Sequence, residues 1–305
     1  MSELRDFEGN YHSPAWFDYA TSILENHGRH NEQLIRAGGT DHVVFFVGDD
    51  LVLKIYRPER NCFEREKRSL EFASGRSDFT TPEVIWHGDL DGLDHLLMVR
   101  VPGDEMTRQE FLALERYKQV SILEDLACGL TDLHAPPHGF DSDWADFVDE
   151  RAATFIQRQI AHGVNSKIIS QLPQYIEESL PLIPRGPSVF MHADVHFGNL
   201  RFGHTTDRPY ARALFDFADS RVGWHEYDLL AIGVLILQGE GELQREFFRA
   251  YGYADDEMDE EMRRRLMMLT MLYETADLRR YALRLRPDAV SLDLYELEKA
   301  IWTFV

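Results

Sequence analysis

The sequence predicts an α+β chain, and three observations carry that reading. Two strand hairpins stand in the first hundred residues, near 42–56 and 81–99. Beyond 104 the chain is largely helical in pattern, with long periodic apolar stretches. Within that helical part lies a strand-rich stretch, 189–219, that sets Asp194, Asn199 and Asp216 among apolar residues. At 305 residues the chain suffices for one large domain or two lobes with a sizeable core.

Composition narrows the class. An apolar fraction of 44% is that of an ordinary globular protein. The net charge of −21 argues against nucleic acid as the main partner, because phosphate contacts need a basic face. It suits a cationic small molecule, which an acidic cleft attracts, and also ordinary solubility. Cys62 and Cys128 lack the spacing of a disulfide framework or a metal site, which points to a reducing compartment. There is no signal-like apolar region and no run of about 18 apolar residues, so a soluble, cytoplasmic protein without a membrane partner is expected.

In chain order, Ser13-Pro14 reads as a helix start, Ser as cap and Pro at the first helical position. Trp16, Tyr19, Ala20, Ile23 and Leu24 make its apolar stripe, and Gly28 ends it. Gly38-Gly39-Thr40 then precedes a strand at 42–47, a candidate phosphate cradle. Asp49-Asp50 turns the chain into a strand at 51–56 that carries Lys54. A charge within an apolar strand needs a partner, unless it faces solvent on an edge.

Asn61 to Glu64 reads as a capping box that engages Glu64 with backbone. Phe63, Glu66, Leu70 and Ala73 fall on one helix face, which turns Glu66 inward. Lys54–Glu66 is therefore the expected pair, with Glu64 as alternative. The stretch Thr81 to Gly88 starts another strand, Asp91-Gly92 is a hairpin turn, and Leu96 to Val99 returns. The stretch 100–103, ending in Pro102-Gly103, stops the sheet. Helices are expected at 112–134, 144–162 and 165–180, and the end of the chain is helical and acidic.

In the central stretch, apolar runs at 199–203 and 210–217 flank a polar loop at 204–209. Antiparallel pairing about that loop makes partner numbers sum to about 414, which brings Asn199 and Asp216 together at the open end. Hard oxygen ligands suit magnesium with a polyphosphate, and a further carboxylate can take a proton from a hydroxyl. His192, Asp194 and His196 at alternate positions could instead ligate zinc, or sit on a wet strand.

The string His192-Ala193-Asp194-Val195-His196-Phe197-Gly198-Asn199 resembles the H-G-D-x-H-x-x-N loop of the aminoglycoside phosphotransferase and choline kinase superfamily. Phe215-Asp216-Phe217, with Asp219, resembles its metal motif. The Lys54 strand resembles the V-A-I-K strand of kinases, and Glu66 with Leu70 fits the family's E-x-x-x-L. The run from Leu96 to Gly103 resembles its L-L-M-x-x-x-P-G crossover. Leu133-His134 resembles its L-x-x-L-H, and 223–230 its G-x-x-x-x-D-L-A, which makes His134 and Asp228 structural.

The resemblance implies a protein-kinase-like two-lobe fold. A small antiparallel-sheet lobe spans about 1–100, with a hinge at about 98–103. A mostly helical lobe spans 101–305 and carries the catalytic loop, the metal site and the acceptor pocket. It implies ATP, or GTP, and Mg2+ as cofactors. Lys54, held by Glu66, handles the α- and β-phosphates, with Gly38, Gly39 and Thr40 in the phosphate loop and Met98, Val99, Arg100 and Val101 at the adenine. Asn199 and Asp216 hold metal, Asp194 is the base, and His192, His196 and Asp219 support them.

No Arg precedes Asp194, no Gly follows Phe217 and no A-P-E segment is present, so the acceptor is expected to be a small molecule rather than a protein. The region after Asp141 looks most like hygromycin B phosphotransferases, which implies an aminoglycoside or aminocyclitol hydroxyl and antibiotic inactivation. Choline, homoserine, a macrolide or a sugar are the alternatives. Glu274 and Asp277, three apart on one expected helix face, could bind substrate ammonium groups or pair with Arg279 and Arg280. The rival of another class is a pseudokinase that binds nucleotide without turnover.

Overall fold

A computed structural model describes residues 4, 6–38, 41–186 and 188–305. The chain divides into two compact units, one of 1–76, 80–102 and 215–219, the other of 77–79, 103–214 and 220–305. By position, 215–219 should belong with the C-terminal lobe. It clusters with the first unit instead, for an electrostatic reason set out with the site below.

In the first unit, among the described residues, five strands form one antiparallel sheet in the order β1-β2-β3-β5-β4. They are β1 (Leu34–Arg36), β2 (Val43–Val47), β3 (Leu51–Ile55), β4 (Val84–Leu90) and β5 (Leu93–Val99). Alternation in β2 buries Val43, Phe45 and Val47, and these pack with Trp16, Tyr19, Ile23 and Leu24. Those four side chains come from α2 (Ala15–Asn26), which follows the short α1 (Phe7–Asn10). The helix starts one residue later than Ser13-Pro14 suggests, yet Ser13 Oγ still accepts from the Ala15 amide at 3.3 Å.

Asp91 and Gly92 take φ of 52° and 85°, the left-handed pair that a two-residue hairpin requires. The strand β1 carried no sequence signal, because Leu-Ile-Arg is too short for a period of two to show and its apolar Ile35 faces solvent.

The expected capping box does not form. Asn61 takes φ 45° and closes a 3₁₀ turn at Pro58–Arg60, donating its amide to Pro58 O at 3.1 Å. The cap of α3 (Phe63–Ala73) is then Cys62, with no side-chain bond, and Glu64 pairs with Lys67 at 2.7 Å.

In the second unit, the expected helix over 112–134 is two helices, α4 (Arg108–Ala113) and α5 (Arg116–Leu133). Leu114 and Glu115 between them are extended, with ψ of 152° and 143°. Thr107 and Glu110 form a true capping box on α4, so the chain starts its helix four residues before the apolar period does. The helices α6 (Trp144–Ala161) and α7 (Ser166–Ser179) stand where expected.

The strand β6 (Val189–Met191) pairs with β9 (Arg221–Gly223), and β7 (Leu200–His204) pairs with β8 (Pro209–Leu214). Leu200 faces Leu214 and Arg201 faces Ala213, the register expected from the loop position, before a shift between Arg201 and Phe202. Beyond β9 come α8 (Glu226–Ala231), π-type turns at Ile232–Leu237, α9 (Gly241–Tyr251), α10 (Glu260–Leu272), α11 (Leu278–Leu285) and α12 (Leu294–Ile301). Among the described residues no helix is long and apolar enough to cross a membrane.

Glu226, at the start of α8, is fully buried. Arg265 clamps it with bonds of 2.7 and 2.8 Å, Trp224 Nε1 donates at 2.9 Å and the Tyr253 hydroxyl at 2.8 Å. Burial pushes this carboxyl up, but Arg265 and the other donors more than offset it and hold its pKa below the ordinary value. Such a group stabilises the fold above its unfolded pKa and loses that contribution as pH falls through the folded one. Arg265→Leu should therefore cost about 3–5 kcal/mol at neutral pH. The loss should shrink on acidification toward pH 4, measured by urea unfolding of both proteins at several pH values.

Candidate active site

The site residues fall on both units, and each set is built by its own local structure. In the first unit, Lys54 on β3 faces Val44 and Leu96 in the neighbouring strands and is 5% exposed. A buried ammonium requires counter-charge. Glu66 from α3 lies 2.7 Å from Nζ and Asp216 2.8 Å. The Tyr56 hydroxyl donates to the same Glu66 Oε2 at 2.6 Å.

Burial alone would strip the Lys54 proton, but Asp216 and Glu66 more than reverse this and raise its pKa above the ordinary value. Burial likewise pushes Glu66 up, while Lys54 and Tyr56 pull it back. The sequence-derived pair is thus formed, with a third member.

Asp216 sits at φ 66°, a left-handed conformation that Asp tolerates better than most residues. Its segment is pinned to α3 by Arg65, whose Nε donates to Ala218 O at 2.7 Å. Arg60 adds an ion pair to Asp219 at 3.4 Å. Cation pairing on both sides is why 215–219 joins the first unit.

Gly38 is exposed, and a Cβ there would meet no atom within 4 Å. Gly39 and Thr40 lie outside the described residues. At the expected adenine positions, the amides of Val99 and Arg100 are already committed, donating to Glu83 O at 2.8 Å and Asp50 O at 2.7 Å. Met98 is inside β5, paired with Val84 and Val52. The amides of Val99 and Arg100 are therefore spent on protein carbonyls, and Val101 stands beyond the last strand.

In the second unit, the loop after β6 is held from behind by Asp228 of α8. Its carboxylate accepts the amides of His192 at 2.8 Å and Ala193 at 2.5 Å, and lies 3.0 Å from His134 Nε2. A carboxylate only accepts, so His134 donates through Nε2 and takes the Tyr251 hydroxyl, 2.6 Å away, on Nδ1. These bonds hold Ala193 at φ 67°, in the position where the family motif has Gly.

His192 is fully buried, and its Nδ1 accepts the Asp194 amide at 3.2 Å. His196 Nδ1 accepts the Gly198 amide at 2.9 Å, which leaves Nε2 to donate to Asp194 Oδ2 at 3.2 Å. Asn199 Nδ2 donates to the same oxygen at 2.9 Å and to Asp194 O at 3.0 Å. Its amide oxygen is a hard donor of the kind magnesium takes, as is the half-exposed Asp216 carboxylate. Among the described residues no three His, Cys, Asp or Glu side chains converge as metal ligands, so the zinc alternative has no geometry behind it.

Tyr273 follows α10 and was not anticipated. Its hydroxyl donates to Asp194 Oδ1 at 2.5 Å. No motif marks it, since 79 residues separate the two. Burial would push the Asp194 carboxyl up, but bonds from His196 and Tyr273 outweigh it and hold the pKa below the ordinary carboxylate value.

Glu274 and Asp277 do not share a helix face. They lie in the break between α10 and α11, where Asp277 caps α11 by accepting the Arg280 amide at 2.9 Å. Arg280 Nε is 4.0 Å from its carboxylate, and Arg151 holds the Glu274 carbonyl at 2.5 Å.

The model of the APH family, described as phosphotransferase enzymes, matches residues 32–265. No curated protein sequence matches the chain. Among solved structures, the GDP complex of wild-type aminoglycoside 2'-phosphotransferase-IIIa is similar with a TM-score of 0.72 at 17% identity, covering 93% of this chain and 98% of that one. A streptomycin–ATP ternary complex of APH(2")-IIa is similar at 0.57 and 15% identity, covering 85% and 91%. Macrolide 2'-phosphotransferase MphH from Brachybacterium faecium is similar at 0.57 and 17%, covering 93% and 98%. At such identities the likeness is one of fold, and the fold is the kinase-like one that these enzymes share.

Two substitutions probe how the loop is braced. Ala193→Gly should be neutral or stabilising by up to about 1 kcal/mol in thermal unfolding, because a left-handed Ala is strained. Asp228→Ala should cost about 3 kcal/mol or more, because it orphans two buried amides.

Proposed function

The chain belongs to the APH phosphotransferase enzyme family, and from that premise we propose that it passes the γ-phosphate of ATP, or GTP, to a hydroxyl of a small cationic alcohol, an aminoglycoside or other aminocyclitol of the hygromycin kind first among them. The observation that carries this reading is Asp194. It is ionised, fixed by donors on both oxygens, and placed on a loop whose backbone Asp228 braces. Such a carboxylate can accept the proton of an alcohol as its oxygen attacks phosphorus.

Lys54, kept protonated by Glu66 and Asp216, would bind the α- and β-phosphates. Asn199 and Asp216 are the residues that would hold Mg2+, which when bound neutralises phosphate charge. In the reaction, the acceptor O–H bond breaks as its oxygen bonds the γ-phosphorus. The bond from that phosphorus to the bridging oxygen breaks, ADP leaves, and the proton passes to Asp194.

The acceptor class draws support from the net charge of −21, which favours cations. It draws further support from neighbours whose complexes hold kanamycin, gentamicin and streptomycin. The MphH neighbour keeps a macrolide among the alternatives.

The test is ADP release across a panel of aminoglycosides, macrolides, choline, homoserine and sugars. Turnover of an aminocyclitol, with the modified hydroxyl mapped, supports the reading. ATP binding without turnover of any acceptor would leave a nucleotide-binding module. Asp194→Ala should lower kcat by at least about 100-fold while nucleotide Kd stays within about threefold. Asp216→Ala should abolish Mg2+-dependent nucleotide binding, and unchanged binding by calorimetry would remove Asp216 from the metal site.

A further inference from the structure

The carboxylate of Asp194 offers about four acceptor directions, two on each oxygen. Oδ2 takes Asn199 Nδ2 at 2.9 Å and His196 Nε2 at 3.2 Å. Oδ1 takes the Tyr273 hydroxyl at 2.5 Å. Three directions are thus filled from within the second unit, and the one that remains is on Oδ1.

Tyr273 is itself held firmly. Arg151 donates Nε to Leu272 O at 3.0 Å, and Nη2 to Tyr273 O at 2.6 Å and Glu274 O at 2.5 Å. The Tyr273 ring packs on Tyr227 with centroids 5.7 Å apart, and the side chain is 3% exposed. A buried phenol must spend its O–H on an acceptor. Here the acceptor is the group read above as the base.

We propose that Tyr273 is a positioning residue for phosphoryl transfer: its hydroxyl fixes Oδ1 of Asp194 so that the acceptor hydroxyl has a single direction in which to dock. This rests on Asp194 as the base. During transfer the acceptor proton moves to Oδ1 while Tyr273 keeps its own. Without the phenol, the carboxylate turns about its side-chain torsions and presents two directions on Oδ1, so fewer bound acceptors are aligned for attack.

Tyr273→Phe keeps the ring packed on Tyr227 and removes only the hydroxyl. With the acceptor that the panel identifies, kcat should fall about 10–100-fold, with the KM of ATP within about threefold. The KM of the acceptor should also stay within about threefold, so that the loss falls on kcat. A purely structural tyrosine would lower Tm and leave kcat in place.

The Tyr273 Cζ resonance should shift in Asp194→Asn relative to the wild type, a measurement that stands even if Tyr273→Phe does not fold. A folded Tyr273→Phe with unchanged kcat overturns the proposal, as does a Cζ resonance that Asp194→Asn leaves in place. Wild-type turnover of no acceptor would bring down Asp194 as base and this inference with it, whereas wild-type turnover with an unchanged kcat in Tyr273→Phe brings down Tyr273 alone.

Discussion

A lysine in the middle of an apolar strand is the constraint on which the first unit is built. An ammonium at 5% exposure would lose its proton or unfold the sheet if left alone. Two carboxylates answer it, one from α3 and one from a segment more than a hundred residues downstream. That second partner explains a feature of the division into units that connectivity alone does not: five residues, 215–219, leave β8 and join the sheet unit. Arg60 and Arg65 then tie the same five residues to the start of α3.

The second unit solves the complementary problem for an anion. Its loop packs Val195 and Phe197 inward and is braced from behind by a buried carboxylate, Asp228, that collects two consecutive amides. Those bonds impose a left-handed Ala193 and leave Asp194 projecting from a rigid backbone. Donors from His196, Asn199 and Tyr273 then keep the carboxylate charged despite burial. One unit thus holds a cation protonated and the other holds an anion deprotonated, and a phosphotransferase needs both states at neutral pH.

Much of this was legible in the chain because it depends on short spacings. Asp91-Gly92 specifies a left-handed turn wherever it falls between strands. Phe63 and Leu70 orient Glu66 inward by helical period, so the Lys54 pair follows. The polar loop at 204–209 sets the β7–β8 pairing to within one residue, and the shift between Arg201 and Phe202 supplies the rest. The loop from His192 to Asn199 carries its chemistry in eight consecutive residues. What the sequence determined by itself is therefore local: element type, facing and the residues of the loop.

The tertiary structure decided whatever depends on a distant neighbour. Asn61 gives up its capping role because a preceding turn claims its backbone. The amides of Val99 and Arg100 are spent on Glu83 and Asp50, which no pattern in 98–101 reveals. Asp277 becomes a helix cap because α10 ends before it. Tyr273 finds Asp194 only when α10 has packed, since the strength of a hydrogen bond depends on ångströms of separation and not on position in the chain.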